Sequence, residues 1–169
     1  MPESFREKGY ETVALASLPY SQSYYFSRGF DIFKDMRRIN MTSKMVKDAL
    51  EIIEPLDKFF LFMNVGSTHR PYDYGETRTD WKEKELQEYN YEGGEVNKEY
   101  LEYLRKRQIE AIEFVDEKIA PLLEELEDTV TLITSDHGTC FGEGEVCGHG
   151  IGRKDAVLKQ LRVPLIFHW

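Results

Sequence analysis

Residues 130–138 read VTLITSDHG, an apolar, β-branched run that ends abruptly in an acid, an imidazole and a glycine. Apolar runs bounded by turn residues are typical of buried strands. In an open α/β sheet, ligands bind beyond the carboxyl ends of the strands. Asp136 and His137 stand at that point, and they offer a hard oxygen and a borderline nitrogen to a divalent metal. The stretch therefore predicts a strand with a metal site at its end.

The rest of the chain alternates strand-like and helix-like patterns. Apolar runs with strand character occupy residues 12–16, 59–65, 130–134 and 163–167, and helical patterns occupy residues 42–54 and 97–127. This alternation predicts an α/β domain with a mainly parallel sheet flanked by helices on both faces. We expect Thr42 or Ser43 to cap the first helix, and Pro121 to kink or divide the second.

Composition limits the class of protein. The chain has 169 residues, 41% of them hydrophobic, and a formal net charge of -9. It is long enough for one domain over residues 1–169, and too apolar for wholesale disorder. The acidic balance disfavours nucleic-acid binding, which needs a basic surface. No signal-peptide pattern opens the chain and no apolar run could span a bilayer, so cytoplasmic location is the default expectation.

Polar side chains follow two of the predicted strands. His69 and Arg70 come after the strand at 59–65, as Asp136 and His137 come after the strand at 130–134. If both strands belong to one parallel sheet, these four side chains share one crevice at its carboxyl edge. The following loop adds His149, Arg153 and Lys154.

A series of motifs runs through the chain in a fixed order. It comprises Lys8-Gly9-Tyr10-Glu11-Thr12, Gly29-Phe30-Asp31, His69-Arg70-Pro71-Tyr72, Asp116, Ser135-Asp136-His137-Gly138, Gly148-His149-Gly150, Lys154 and Arg162-Val163-Pro164-Leu165-Ile166. In that order these motifs resemble the later part of the catalytic domain of the sulfatase family, within the alkaline phosphatase superfamily. The resemblance covers nearly the whole chain but only part of a family catalytic domain.

The resemblance implies metal-dependent cleavage of sulfate or phosphate esters. Asp136 and His137 resemble the late pair of metal ligands, and the metal could be Ca, Mn or Zn. His69 resembles the catalytic histidine that contacts the transferred group or the leaving oxygen, where an imidazole can supply a proton near neutral pH. A metal and cationic side chains would neutralise the charge that develops there. The residues expected to bind the anionic substrate are Lys154, His149 and Arg70.

The chain departs from the family pattern upstream. The family nucleophile, in a Cys/Ser-x-Pro-x-Arg motif, and an early Asp-Asp pair precede the Gly-Tyr-x-Thr segment, which stands here almost at the start. Residues 17–21 imitate the motif but end in Ser21. We therefore expect an N-terminally incomplete domain that is inactive alone, and its status as an enzyme stays open. The alternative is a non-catalytic, sulfatase-derived module that pairs with a companion chain or a missing N-terminal segment.

The two cysteines allow a different chemistry. His137, Cys140, Cys147 and His149 supply two nitrogens and two sulfurs, which could close a small tetrahedral zinc site. Their spacing matches no common zinc finger. Cys140 and Cys147 could also form a local disulfide if the protein is exported.

Overall fold

A three-stranded parallel sheet organises the first half of the chain. The structure is a computed structural model that describes residues 1–17, 24–36, 38, 40–75, 98–143, 146–149 and 154–169. Strand β1 (Glu11–Ala16) lies in the centre and pairs with β2 (Ile32–Asp35) on one side and β3 (Phe59–Asn64) on the other. Val13 to Ala16 are buried, as expected for a strand covered on both faces. The predicted α/β class with a parallel sheet is confirmed.

The remaining elements follow in chain order. The helices are α1 (Pro2–Arg6), α2 (Tyr24–Ser27), α3 (Thr42–Ile53), α4 (Lys98–Glu125) and α5 (Lys154–Gln160). The further strands are β4 (Thr131–Thr134), β5 (Cys140–Phe141), β6 (Cys147–Gly148) and β7 (Leu165–His168). No helix in these described ranges is long and apolar enough to cross a membrane.

Thr12 and Asp31 join the start of β1 to the chain leading into β2. The Thr12 hydroxyl oxygen lies 2.6 Å from a carboxylate oxygen of Asp31, and the Thr12 N–H donates to the same oxygen at 3.0 Å. These hydrogen bonds hold the pKa of the Asp31 carboxyl below its usual value. Gly29, whose carbonyl also faces the Thr12 hydroxyl, has φ +86° and so needs glycine. The Gly29-Phe30-Asp31 motif therefore has a structural role.

The expected side-chain cap of α3 is absent, and the expected division of α4 at Pro121 does not occur. Helix α3 has Met41 at its N-cap position and no side-chain cap. Thr42 instead lies inside the helix, and its hydroxyl is 2.8 Å from the buried Ser67 hydroxyl, so tertiary contact replaces capping. Helix α4 continues through Pro121 without division. Leu122, the residue after this proline, is buried.

The prediction that the strands at 130–134 and 163–167 join one parallel sheet is wrong. Within the described chain, β4 pairs with β7, and the pair is antiparallel, with Leu132 opposite Phe167. The reason is where α5 ends: the Gly138 N–H donates to the Gln160 carbonyl at 2.7 Å. The chain thus returns at the carboxyl end of β4 and must run back along it. The loop expected after β4 contains the short antiparallel pair β5–β6.

The described chain forms two compact units. The first holds α1 to β3 and the part of α4 from Ala111 onward. The second holds the turn Arg70–Tyr72, the earlier part of α4, and the segment from Leu126 to Trp169. All the site geometry below belongs to the second unit, apart from His69.

Candidate metal and anion site

Asp136 and His137 lie directly after β4, as the sequence predicts. The His137 Nε2 atom is 3.9 Å from Asp136 Oδ1, and the same carboxylate oxygen accepts the His137 backbone N–H at 3.0 Å. Two metal–ligand bonds of about 2.1 Å each can bridge donor atoms up to about 4.2 Å apart. The carboxylate and the imidazole are therefore close enough to share one metal ion.

The protonation of His137 suits metal binding. Its Nδ1 atom is 2.9 Å from the Gly138 carbonyl oxygen. A carbonyl only accepts hydrogen bonds, so Nδ1 carries a proton, and in the neutral imidazole Nε2 then has the lone pair that can bind metal. Metal-ligating histidines characteristically donate their other N–H in this way. The two residues fit a divalent metal as part of a ligand set.

The set in the described residues is incomplete. Among them, no group of three or more His, Cys, Asp or Glu side chains is arranged to hold a metal. A divalent ion takes four or more ligands, so the pair at the end of β4 supplies only part of a coordination sphere.

The turn that carries the pair is anchored to α5. The Gly138 N–H donates to the Gln160 carbonyl of α5. Within the turn itself, the Ser135 hydroxyl donates to the His137 carbonyl at 2.7 Å. A Cβ on Gly138 would lie 2.5 Å from the Lys159 carbonyl oxygen and 2.8 Å from that of Arg162. Both atoms are backbone, so the close approach of α5 requires glycine here.

His149 contacts His137, and Arg70 approaches the residue before His149. The His137 and His149 rings have centroids 4.2 Å apart. Arg70 Nη1 would be 3.8 Å from a Cβ built on Gly148, so the guanidinium approaches the chain next to His149. The structure thus brings these three predicted site residues together, although β4 does not belong to the parallel sheet that was predicted to do so.

The structure also describes two other predicted site residues, Lys154 and His69. Lys154 is exposed and begins α5. His69 belongs to the first unit, where its N–H donates to the Gly66 carbonyl at 2.8 Å. Its catalytic role, and its sharing of a crevice with Asp136, stay predictions. Arg153 and most of the Ser17–Ser21 imitation lie outside the described residues; the Ser17 hydroxyl itself is buried and donates to the Asn64 carbonyl at 2.8 Å.

The four-ligand zinc site and the disulfide are wrong. Neither Cys140 nor Cys147 forms a disulfide, and no metal-holding cluster includes them within the described chain. Cys140 is buried, with its Sγ 3.4 Å from the Ala156 carbonyl. Burial raises the pKa of the Cys140 thiol, which disfavours the thiolate that zinc requires. Packing of its side chain against α5 explains why Cys140 is buried.

Sequence analysis missed two residues, Tyr100 and Arg107 of α4. Arg70 Nη2 donates to the Tyr100 hydroxyl at 2.6 Å, and Arg107 Nη2 donates to the Tyr72 carbonyl at 2.8 Å. Their spacing of seven residues places them on one helix face, which was the available signal. The apolar pattern of this helix is more prominent than the spacing of these two polar residues.

Two solved structures resemble the chain in fold. The chain is similar to the lipoteichoic acid synthase LtaP from Listeria monocytogenes (TM-score 0.61, 16% identity), with 99% of this chain and 45% of that chain covered. It is also similar to a protein in the alkaline phosphatase superfamily from Vibrio parahaemolyticus (TM-score 0.53, 14% identity), with coverage of 99% and 40%. The chain therefore shares its fold with parts of both proteins.

The family follows from the sequence. The sulfatase family model matches residues 1–169, and the chain therefore belongs to the sulfatase family. No curated protein matches it. The chain spans less than half the length of the two solved structures to which it is similar.

Proposed function

We propose that this chain forms the later part of a metal-dependent hydrolase of sulfate or phosphate esters. The observation that carries the proposal is the pair at the end of β4, where His137 Nε2 keeps its lone pair 3.9 Å from the Asp136 carboxylate. Superfamily members generally use divalent metals, and an ion here would neutralise charge on the transferred group. In this proposal His69 protonates the leaving oxygen. The anionic oxygens are bound by Arg70, His149 and Lys154.

The chain does not carry out hydrolysis alone in this proposal. Its sequence contains no Cys/Ser-x-Pro-x-Arg motif, and the buried Ser17 hydroxyl is engaged with a backbone carbonyl. A nucleophile and further metal ligands must come from another polypeptide segment, since ligands of a divalent site act as a set.

Weak binding of Mn²⁺ at Asp136 and His137 tests the site. We expect Mn²⁺ to broaden the NMR signals of the His137 imidazole and of nearby amides, because a paramagnetic ion reveals even a two-ligand site. Asp136→Ala should abolish this local broadening, whereas Asp128→Ala, which removes an exposed acid beyond α4, should leave it unchanged. Broadening that is absent from the unmodified chain, or that survives in Asp136→Ala, contradicts the metal site.

One surface supports the second candidate, a module that pairs with another polypeptide. Leu132 and Phe167 face each other across β4–β7 and are 52% and 54% exposed. Ile166, on the opposite face of the same ribbon, is also exposed, as is Trp169 beyond it. A two-stranded ribbon is marginal alone, and an exposed apolar patch marks an interaction site. We propose that a polypeptide with the rest of a sulfatase-type domain covers this ribbon.

A bare ribbon of this kind should make the isolated chain associate with itself. We expect light scattering to show a molar mass that rises with concentration for the unmodified chain. The double variant Leu132→Lys/Phe167→Lys should remain monomeric. Ile109→Lys, which alters an equally exposed apolar residue of α4, should behave as the unmodified chain does. A chain that is monomeric at every concentration contradicts a role for the ribbon in association.

A further inference from the structure

A buried arginine of α4 holds the turn that follows β3. Arg107 is 6% exposed, and its Nη2 donates to the Tyr72 carbonyl at 2.8 Å. Tyr72 is itself buried and has φ +63°, a left-handed conformation that residues other than glycine adopt only where the surroundings impose it. The contact with Arg107 is one of the interactions that impose it. The backbone between Arg70 and Tyr72 therefore depends on this helix.

The same helix face also holds the other end of the turn. Tyr100 lies about two helical turns before Arg107. Its hydroxyl accepts a hydrogen bond from Arg70 Nη2 at 2.6 Å, and its ring centroid is 5.9 Å from the Arg70 guanidinium carbon. A guanidinium is planar, so this bond and the contact with the ring fix the orientation of the whole group.

The orientation of Arg70 matters because of what lies beside it. Its Nη1 points toward Gly148, the residue before His149, and the His149 ring packs against that of His137. A guanidinium presents N–H donors in a fork that matches two oxygens of a sulfate or phosphate group. A rotation of the turn would take this fork away from the two histidines.

We propose that Tyr100 and Arg107 are positioning residues that aim Arg70 at a tetrahedral oxyanion next to His137 and His149. This inference rests on the proposed anion site and names the residues that orient it. Arg107 acts through the backbone of Tyr72, and Tyr100 acts directly on the guanidinium. Neither residue touches the oxyanion itself.

Titration with inorganic sulfate, followed by the NMR shifts of the His137 and His149 imidazoles with and without Ca²⁺, tests the proposal. We expect Arg107→Ala to weaken sulfate binding by about tenfold or more, as is usual when the partner of a site residue is removed. Tyr100→Phe, which keeps the ring and removes only the hydroxyl, should weaken it by less. Arg107→Lys should restore part of the loss, because its ammonium can donate to the same carbonyl.

Leu104→Ala is the matched control. Leu104 is buried on the same face of α4, between the two positioning residues, but it is apolar and can donate no hydrogen bond to the turn. Its truncation should lower thermal stability and leave sulfate affinity unchanged below the unfolding range. Equal sulfate affinity in Tyr100→Phe, Arg107→Ala and the unmodified chain would overturn the positioning role, as would an equal loss in Leu104→Ala. No sulfate binding by the unmodified chain would contradict the anion site itself, and the positioning role with it.

Discussion

Substitution of Gly138 by alanine is expected to damage both the fold of the second unit and the proposed metal site. The added Cβ would lie 2.5 Å from the Lys159 carbonyl oxygen and 2.8 Å from that of Arg162, so the turn or α5 must move. Overpacking of this kind costs about 1–3 kcal/mol. Because Gly138 also accepts the Nδ1–H of His137, its displacement should weaken metal binding by about tenfold or more. Urea unfolding and Mn²⁺ broadening measure the two effects.

Gly9→Ala provides the comparison for this prediction. Gly9 has φ +78°, but a Cβ there would meet no atom within 4 Å. Alanine should therefore cost about 1–2 kcal/mol from its left-handed conformation alone, and Mn²⁺ binding should be unchanged. If Gly138→Ala keeps normal metal affinity, the close approach of α5 does not hold the turn in place.

Truncation of Leu15 to alanine is expected to cause the largest loss of stability in the first unit. Leu15 is 0% exposed in the central strand, between Lys34 of β2 and Met63 of β3. Removal of a fully buried leucine side chain loses its transfer free energy and leaves a cavity, at a total cost of about 2–5 kcal/mol. The midpoint of urea unfolding, followed by far-UV circular dichroism, should fall accordingly.

An exposed leucine gives the reference for that loss. Leu158 of α5 is about half exposed, and alanine is a good helix former. Leu158→Ala should change the free energy of unfolding by no more than about 0.5 kcal/mol. A Leu15→Ala effect as small as this would show that β1 is not at the centre of a packed core.

The elements of the fold were largely predictable from local sequence. The apolar run at 59–65 and the helical pattern at 42–54 correspond closely to β3 and α3. Such patterns reflect which face of each element is buried, and the periodic spacing of apolar residues along the sequence indicates that face. The direction of β7 was not predictable, because it depends on the bond from Gly138 to Gln160, a contact between segments that are distant in the chain.

The residues of the candidate site also fall into those that the sequence revealed and those that it did not. Asp136 and His137 were recognisable because residue types that bind metal stand together at a strand end. The grouping of Arg70 with His149 was predicted for the wrong reason, since β4 pairs with β7 in place of the parallel sheet. The spacing of Tyr100 and Arg107 places them on one helix face, but it did not mark them as site residues, because a tyrosine and an arginine on a helix are ordinary surface residues until something packs on them.

The sequence by itself determined the family and the strands β1, β3, β4 and β7, and it marked Asp136 and His137 as candidate metal ligands, because these are carried by residue types and their spacing. Only the tertiary structure showed that His137 Nδ1 faces the Gly138 carbonyl, that backbone atoms after β4 leave no room for a Cβ on Gly138, and that Arg70 bonds to Tyr100 of α4. Each of these depends on hydrogen-bond geometry or close packing. Packing at this density responds to displacements smaller than an atom, which no pattern of residue types encodes.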